Sequence, residues 1–124
     1  MKALTLHQPW AWLVFHGKSV ENRTWPTHYR GPLAIHAAKA MTSREYQEAV
    51  DFVCGFNPSL AYRIPTPDVL IRGAFIGMVA LVGCVTEHSS PFFNGPYGWV
   101  LAEPQEFANP ILAKGALGLW EWSK

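Results

Sequence analysis

The chain has 124 residues, of which 49% are apolar and 15% charged, and its formal net charge is +1. This length suits one domain with its own hydrophobic core, and the composition excludes a disordered chain. The charge excludes a strong, non-specific polyanion binder, although cations outnumber carboxylates five to one in residues 1–40. Residues 1–124 are therefore expected to form a single domain. Gln8 and Pro9 interrupt any leader and no apolar run is long enough to span a membrane, so a cytoplasmic protein without membrane partners is expected.

The first third of the chain combines short strands with one helix. Apolar residues recur at helical spacing over 9–16, where Pro9 begins the predicted helix and Gly17 ends it. The predicted strands are 2–6, 19–25 and 31–38. In the third strand, His36 is expected on the face opposite to the core-facing Leu33 and Ile35.

The rest of the chain adds a second helix and more strands. Thr42 and Glu45 form a capping box that predicts an amphipathic helix over 43–54. The Pro-rich segment 55–72 is predicted to be a long loop, with room for one helical turn. Further strands are predicted at 74–86, 97–101 and 117–122, with Pro104 and Pro110 bounding an irregular segment. These elements predict an α+β fold, a small closed or nearly closed β-barrel of about six mostly antiparallel strands with two or three flanking helices.

Several standard kinds of site are absent from the sequence. It has no Gly-rich phosphate loop, Cys-x-x-Cys motif or Ser nucleophile elbow. His7, His16, His28 and His36 follow no zinc-site spacing, so neither a metal nor a cofactor is predicted. Cys54 and Cys84 are expected to be two buried, reduced thiols, with a disulfide as the alternative.

The segment 18–31 carries the densest chemistry in the chain. It holds Lys18, Glu21 and Arg23 together with aromatic side chains, between two apolar flanks. This is the pattern of a binding cleft set into a hydrophobic scaffold. Strand alternation places Glu21 and Arg23 on one face, with Lys18 at the strand entrance. The alternative is structural, with Glu21 and Arg23 pairing across neighbouring strands.

These side chains support two kinds of chemistry. In the first, the cations hold a phosphate while a Trp or Tyr ring stacks on a base and Gln8 or Glu21 contacts the base edge. In the second, Lys18 acts as base or nucleophile and Glu21 relays the proton. The second depends on how far Lys18 lies from Glu21 and Arg23, which the sequence does not give.

Three motifs in the first third carry a family resemblance: Gln8-Pro9-Trp10, then Gly17-Lys18 with Glu21-Asn22-Arg23 and Trp25, then Arg30-Gly31-Pro32-Leu33-Ala34-Ile35. Later matches are Gly77 to Cys84, Tyr97-Gly98-Trp99, Pro110-Ile111 and Gly115 to Trp120. With these motifs the chain resembles the ASCH domain, the activating-signal-cointegrator homology domain, over nearly its whole length. The resemblance implies a PUA-like β-barrel with a cleft between barrel and helices, and an RNA-related function.

Two functions are consistent with this resemblance. The first is a binding module that holds single-stranded RNA or a modified nucleotide in a basic cleft. We expect the cleft to be lined by Gln8, Lys18, Glu21 and Arg23, with Tyr29, Arg30, His36 or Tyr97 at its rim.

The second function is a metal-independent hydrolase of modified nucleosides or RNA, with Lys18 and Glu21 as catalytic residues. Family members that resemble amidohydrolases of acetylated cytidine use a Lys and a Thr in this segment. Lys18 matches that Lys, but Glu21 stands at the Thr position.

Overall fold

The computed structural model describes residues 1–123. Within this range the strands are β1 (Lys2–Leu6), β2 (Val20–Arg23), β3 (Gly31–Ala37), β4 (Ala74–Val85), β5 (Tyr97–Leu112) and β6 (Leu119–Glu121). The helices within the same range are α1 (Trp10–Val14), α2 (Ser43–Cys54) and α3 (Pro58–Arg63). These elements confirm the predicted α+β class with a small barrel.

The strands form one mixed sheet in the order β2-β5-β4-β3-β1-β6, which curls into a half-barrel. Over residues 1–123, β1 and β3 are parallel, and the other neighbouring strands are antiparallel. The register of the long β4–β5 pair shifts at three places. Such irregularities bend and twist a strand, so they account for much of the curl.

The sheet is buried on both faces near its centre. On one face, Trp99 is fully buried and packs with Leu33 and Ile35. On the other face, Phe75 packs with Trp122, their ring centroids 3.8 Å apart. Because β3 lies between these layers, its residues 33–37 are all buried, including the polar His36.

The helices pack together at one side of the sheet, where Leu13, Val53 and Leu60 share a second core. Helix α2 spans the predicted residues, and its capping box is present: the Glu45 N–H donates to the Thr42 hydroxyl at 3.0 Å. Helix α1 is shorter than the predicted 9–16. Helix α3 lies in the segment predicted as a loop, with Asn57 as its N-cap and Pro58 in its first turn.

The largest difference between the predicted and the observed strands is in β5. The sequence predicted a strand over 97–101 and then an irregular segment, because Pro104 and Pro110 lack an N–H. The strand instead continues to Leu112. Beyond Val100, the described strands pair with β5 only on its β4 side, and neither proline is in register with a β4 residue. The prolines therefore remove no ladder hydrogen bond.

Three smaller differences concern the strand ends and the thiols. β2 and β6 are shorter than the predicted strands 19–25 and 117–122. Cys54 is exposed at the end of α2 and Cys84 is half-buried, so the prediction of two buried thiols is wrong; both thiols are free. In the described part of the chain, no helix has the length and hydrophobicity needed to cross a membrane.

Candidate functional site: a cleft with one cationic and one acidic wall

A cleft of about 810 Å³ separates helix α2 from the β2 end of the sheet. We call it the main cleft. Its lining comes from β1, α1 and their connection (Thr5, Leu6, His7, Trp10), from β2 and its entrance (Lys18, Glu21, Asn22, Arg23), from α2 (Glu45, Glu48, Ala49, Phe52) and from the loops 91–94 and 116–118. Residues distant in sequence therefore meet in one concave site.

The β2 wall holds the charged group found in the sequence. Lys18, only 4% exposed, donates from Nζ to Glu21 Oε1 at 2.7 Å and to the Val20 carbonyl at 2.8 Å. Glu21 Oε2 lies 3.3 Å from Arg23 Nε, because strand alternation brings both side chains to one face. The ion pair thus forms within β2. The alternative of a cross-strand pair is wrong, since Glu21 is opposite Trp99 and Arg23 is opposite Tyr97.

Arg23 differs from Lys18 in its hydrogen bonding. Its guanidinium carbon lies 5.8 Å from the Trp25 ring centroid and 5.7 Å from that of Trp99. Nε is buried, and its approach to Glu21 lacks hydrogen-bond geometry. Within residues 1–123, the guanidinium makes this ion pair but no hydrogen bond. Its terminal Nη donors are therefore available to a ligand, whereas the buried Nε is not, and two indole rings orient the group.

The opposite wall of the main cleft, on α2, is acidic. Glu45 and Glu48 line it, and Glu45 Oε2 lies 2.7 Å from His7 Nδ1. The Thr42 backbone N–H, followed by the His7 side chain, lowers the pKa of the Glu45 carboxyl below its ordinary value. The cleft is therefore cationic on the β2 wall only. Among residues 1–123, no three His, Cys, Asp or Glu side chains are grouped as a metal site would require.

Four aromatic side chains also line the cleft: Trp10, Phe52, Phe92 and Phe93. Asn22 fixes the loop that carries the last two. Its Nδ2 donates to the Phe92 carbonyl at 3.0 Å, and its Oδ1 accepts from the backbone N–H groups of Asn94 and Gly95 at 2.8 and 3.1 Å. Neither this loop nor the role of Asn22 is apparent from the sequence, because their contacts span 70 or more positions.

The loop 113–118 forms another part of the rim and is anchored from beneath by His36. His36 Nε2 donates to the Ala113 carbonyl at 2.7 Å, and Nδ1 lies 3.3 Å from the Thr5 hydroxyl. That hydroxyl also accepts from the Ala116 N–H at 3.4 Å. His36, expected at the rim, is 1% exposed and lies behind it.

Gln8 also lies outside the cleft lining, although it was expected to be part of it. It is 2% exposed. Its Oε1 accepts from the Trp12 N–H at 2.9 Å, and its Nε2 donates to the Ile71 carbonyl at 2.8 Å. Both ends of the amide are thus engaged in joining α1 to the loop before β4.

The other expected rim residues lie near Arg23, either along the chain (Tyr29 and Arg30) or across the sheet (Tyr97), but none of them lines the cleft. Tyr29 donates its hydroxyl to the Pro32 carbonyl at 2.6 Å. Arg30 donates to the carbonyls of Thr27 and Tyr29 at 3.0 and 2.8 Å. Tyr97 is opposite Arg23 on β5 without lining the cleft. The structure therefore brings Lys18, Glu21 and Arg23 into one cleft. Tyr29, Arg30 and Tyr97 lie beside it.

Comparison with known proteins identifies the family to which the chain belongs. The family model of the ASCH domain matches residues 4–111. The chain is also similar to activating signal cointegrator 1 of Homo sapiens and of Mus musculus, in each case with 28% identity over 127 aligned residues and 95% of this chain covered. It spans only 22% of the length of these relatives. The match to the family model covers most of the chain, including the cleft-forming β2, and the chain therefore belongs to the ASCH domain family.

Proposed function

We propose that this domain binds single-stranded RNA and holds one nucleotide in the main cleft, with Arg23 on a phosphate and an aromatic side chain against the base. The ASCH family is generally proposed to bind RNA, which supports RNA as the class of ligand. The observation that carries the proposal is the Arg23 guanidinium, which lines the cleft and, within residues 1–123, makes an ion pair with Glu21 but no hydrogen bond, so that its terminal Nη donors remain for a ligand. Arginine binds phosphate oxygens through two parallel N–H donors.

The composition of the cleft supports a single nucleotide over a long polyanion. Glu21 offsets part of the charge of Lys18 and Arg23, and Glu45 and Glu48 add negative charge on the facing wall. Carboxylates accept hydrogen bonds, so this wall suits the amino groups of a base, including those of a modified base. Trp10, Phe52 and Phe93, which are less buried than Phe92, offer stacking surfaces, which single-stranded nucleic acids use irrespective of sequence.

The test is a titration of a fluorescently labelled RNA hexanucleotide with the wild type and with Arg23→Gln. Losing one charged hydrogen-bond donor group weakens binding by about tenfold or more. Arg72→Gln is the matched control, because Arg72 is exposed, contacts the Lys39 carbonyl and lies outside the cleft lining. Equal affinity of wild type and Arg23→Gln contradicts the proposal.

Hydrolysis by Lys18 is the second candidate, favoured by the burial of this amine in a cleft. Its contacts support a different role, because Nζ is in an ion pair with Glu21 and an ammonium has no lone pair for attack. We assign Lys18 to positioning Glu21. Lys18→Met tests this assignment in assays with acylated nucleosides and short RNAs: turnover by the wild type that the variant loses makes Lys18 catalytic.

A further inference from the structure

A second cavity of about 470 Å³ lies next to the main cleft. We call it the α3 pocket, because Asn57, Ser59, Leu60 and Arg63 of α3 and its cap line it. The other side is formed by residues 16–17 and 90–92, together with Phe56. None of the residue motifs singled out in the sequence lies in α3.

Phe92 separates the two cavities. It lines both, with its ring centroid 6.2 Å from that of Phe52 in the main cleft and 5.1 Å from that of Phe56 in the α3 pocket. The rings of Phe52 and Phe56 are themselves 5.4 Å apart. One layer of aromatic side chains thus divides the cavities, and a ligand that fills the main cleft has the α3 pocket directly beside it.

The two cavities differ in charge. The described residues that line the α3 pocket include Arg63, His16 and two serines but no carboxylate, whereas three glutamates line the main cleft. Arg63 is exposed in the last turn of α3, and within residues 1–123 it makes neither an ion pair nor a side-chain hydrogen bond. An uncommitted guanidinium with hydroxyl neighbours fits a phosphate group.

We propose that the α3 pocket binds the phosphate of the next nucleotide in a single RNA strand whose neighbouring nucleotide occupies the main cleft. Arg63 supplies the charge, and the half-exposed Phe56 supplies an apolar surface for the sugar or base. This inference rests on the proposed function and extends it from one nucleotide to at least two. It also predicts the path of the RNA strand over the surface, from Arg23 across Phe92 to Arg63.

The test compares two probes, adenosine 5′-monophosphate and a labelled RNA hexanucleotide, in the wild type, Arg63→Glu and the control Arg72→Glu. Arg63 is exposed, so its replacement is compatible with folding. We expect Arg63→Glu to weaken hexanucleotide binding about tenfold or more and to leave the mononucleotide affinity unchanged. The slope of log K against log salt for the hexanucleotide is expected to become shallower by about 0.7, the value for one phosphate contact.

The outcomes separate this inference from the function on which it rests. If Arg23→Gln weakens both probes while Arg63→Glu weakens neither, the α3 pocket is not part of the binding path and the proposed function stands. Equal loss of hexanucleotide affinity in Arg63→Glu and Arg72→Glu also overturns the inference, because the effect is then one of net charge. If the wild type binds neither probe, both proposals fail.

Discussion

Two groups of buried and half-buried polar side chains lie at the main cleft, and they differ in how fully they are hydrogen-bonded. In the group around His36, the ring and the Thr5 hydroxyl contact each other and the loop 113–118. In the group around Glu21, Lys18 is hydrogen-bonded, whereas Arg23 makes an ion pair with Glu21 but no hydrogen bond within the described residues. The first group holds the scaffold, and the second offers a contact to a ligand. Residue type alone does not distinguish the two groups. They differ in how many of their polar atoms already have hydrogen-bond partners within the protein.

The largest expected effect is on the Glu21 group. Glu21→Gln leaves Lys18 and Arg23 close together without a counter-charge in a largely buried site, which costs about 3 kcal/mol of unfolding free energy. Urea unfolding measures this cost. The exposed Glu87→Gln serves as control and is expected to change stability by less than about 0.5 kcal/mol. If Glu21→Gln is as mild as the control, the ion pairs contribute little to stability.

The His36 group is tested by adding a single methyl group. A Cβ at Gly115 would lie 2.8 Å from the Thr5 hydroxyl oxygen and 2.9 Å from the His36 ring, so Gly115→Ala forces the loop or the ring to move. We expect a loss of about 1–3 kcal/mol and weaker RNA binding, because the loop forms part of the cleft rim.

The matched control for this change is Gly83→Ala, where the new Cβ makes ordinary contacts of 3.6 Å with Val100. Its stability is expected to stay within about 1 kcal/mol of the wild type. A Gly115→Ala protein that matches Gly83→Ala in both stability and binding would show that the His36 group does not position the rim.

The smallest expected effect concerns the acidic wall of the cleft. The folded state lowers the pKa of Glu45 below its ordinary value of 4.5. The ionised carboxylate therefore stabilises the fold above pH 4.5, and this contribution is lost as the pH falls through the lowered pKa. Stability of the wild type should therefore decline more steeply on acidification below pH 4.5 than that of Glu45→Gln. Parallel pH profiles of the two proteins would contradict this role of the Thr42 and His7 contacts.

The sequence predicted features that depend on local spacing. The capping box located α2, and strand alternation placed Glu21 and Arg23 on one face. It did not predict features that depend on distant contacts. The prolines of β5 are tolerated because of where β2 stops pairing, and the loop with Phe92 joins the cleft through an asparagine about 70 residues away.

Gln8 and His36 show a second limit of sequence analysis. Both have the chemistry of binding residues, yet each is buried and hydrogen-bonded to the backbone of a distant segment. A sequence shows which donors and acceptors a residue has but not whether the fold already uses them. Arg23 and Arg63, by contrast, make no side-chain hydrogen bond within the described residues, and this difference becomes visible in three dimensions.

The most direct test of the account follows the tryptophan indole N–H signals of the ¹⁵N-labelled protein by NMR while the RNA hexanucleotide is added. Trp10 lines the main cleft, Trp25 contacts Arg23, and Trp122 stacks on Phe75. Binding in the cleft predicts that the Trp10 and Trp25 signals shift with the same saturation curve while the Trp122 signal stays in place. A shift of Trp122 with Trp10 and Trp25 unchanged would place the RNA away from the cleft and contradict the account.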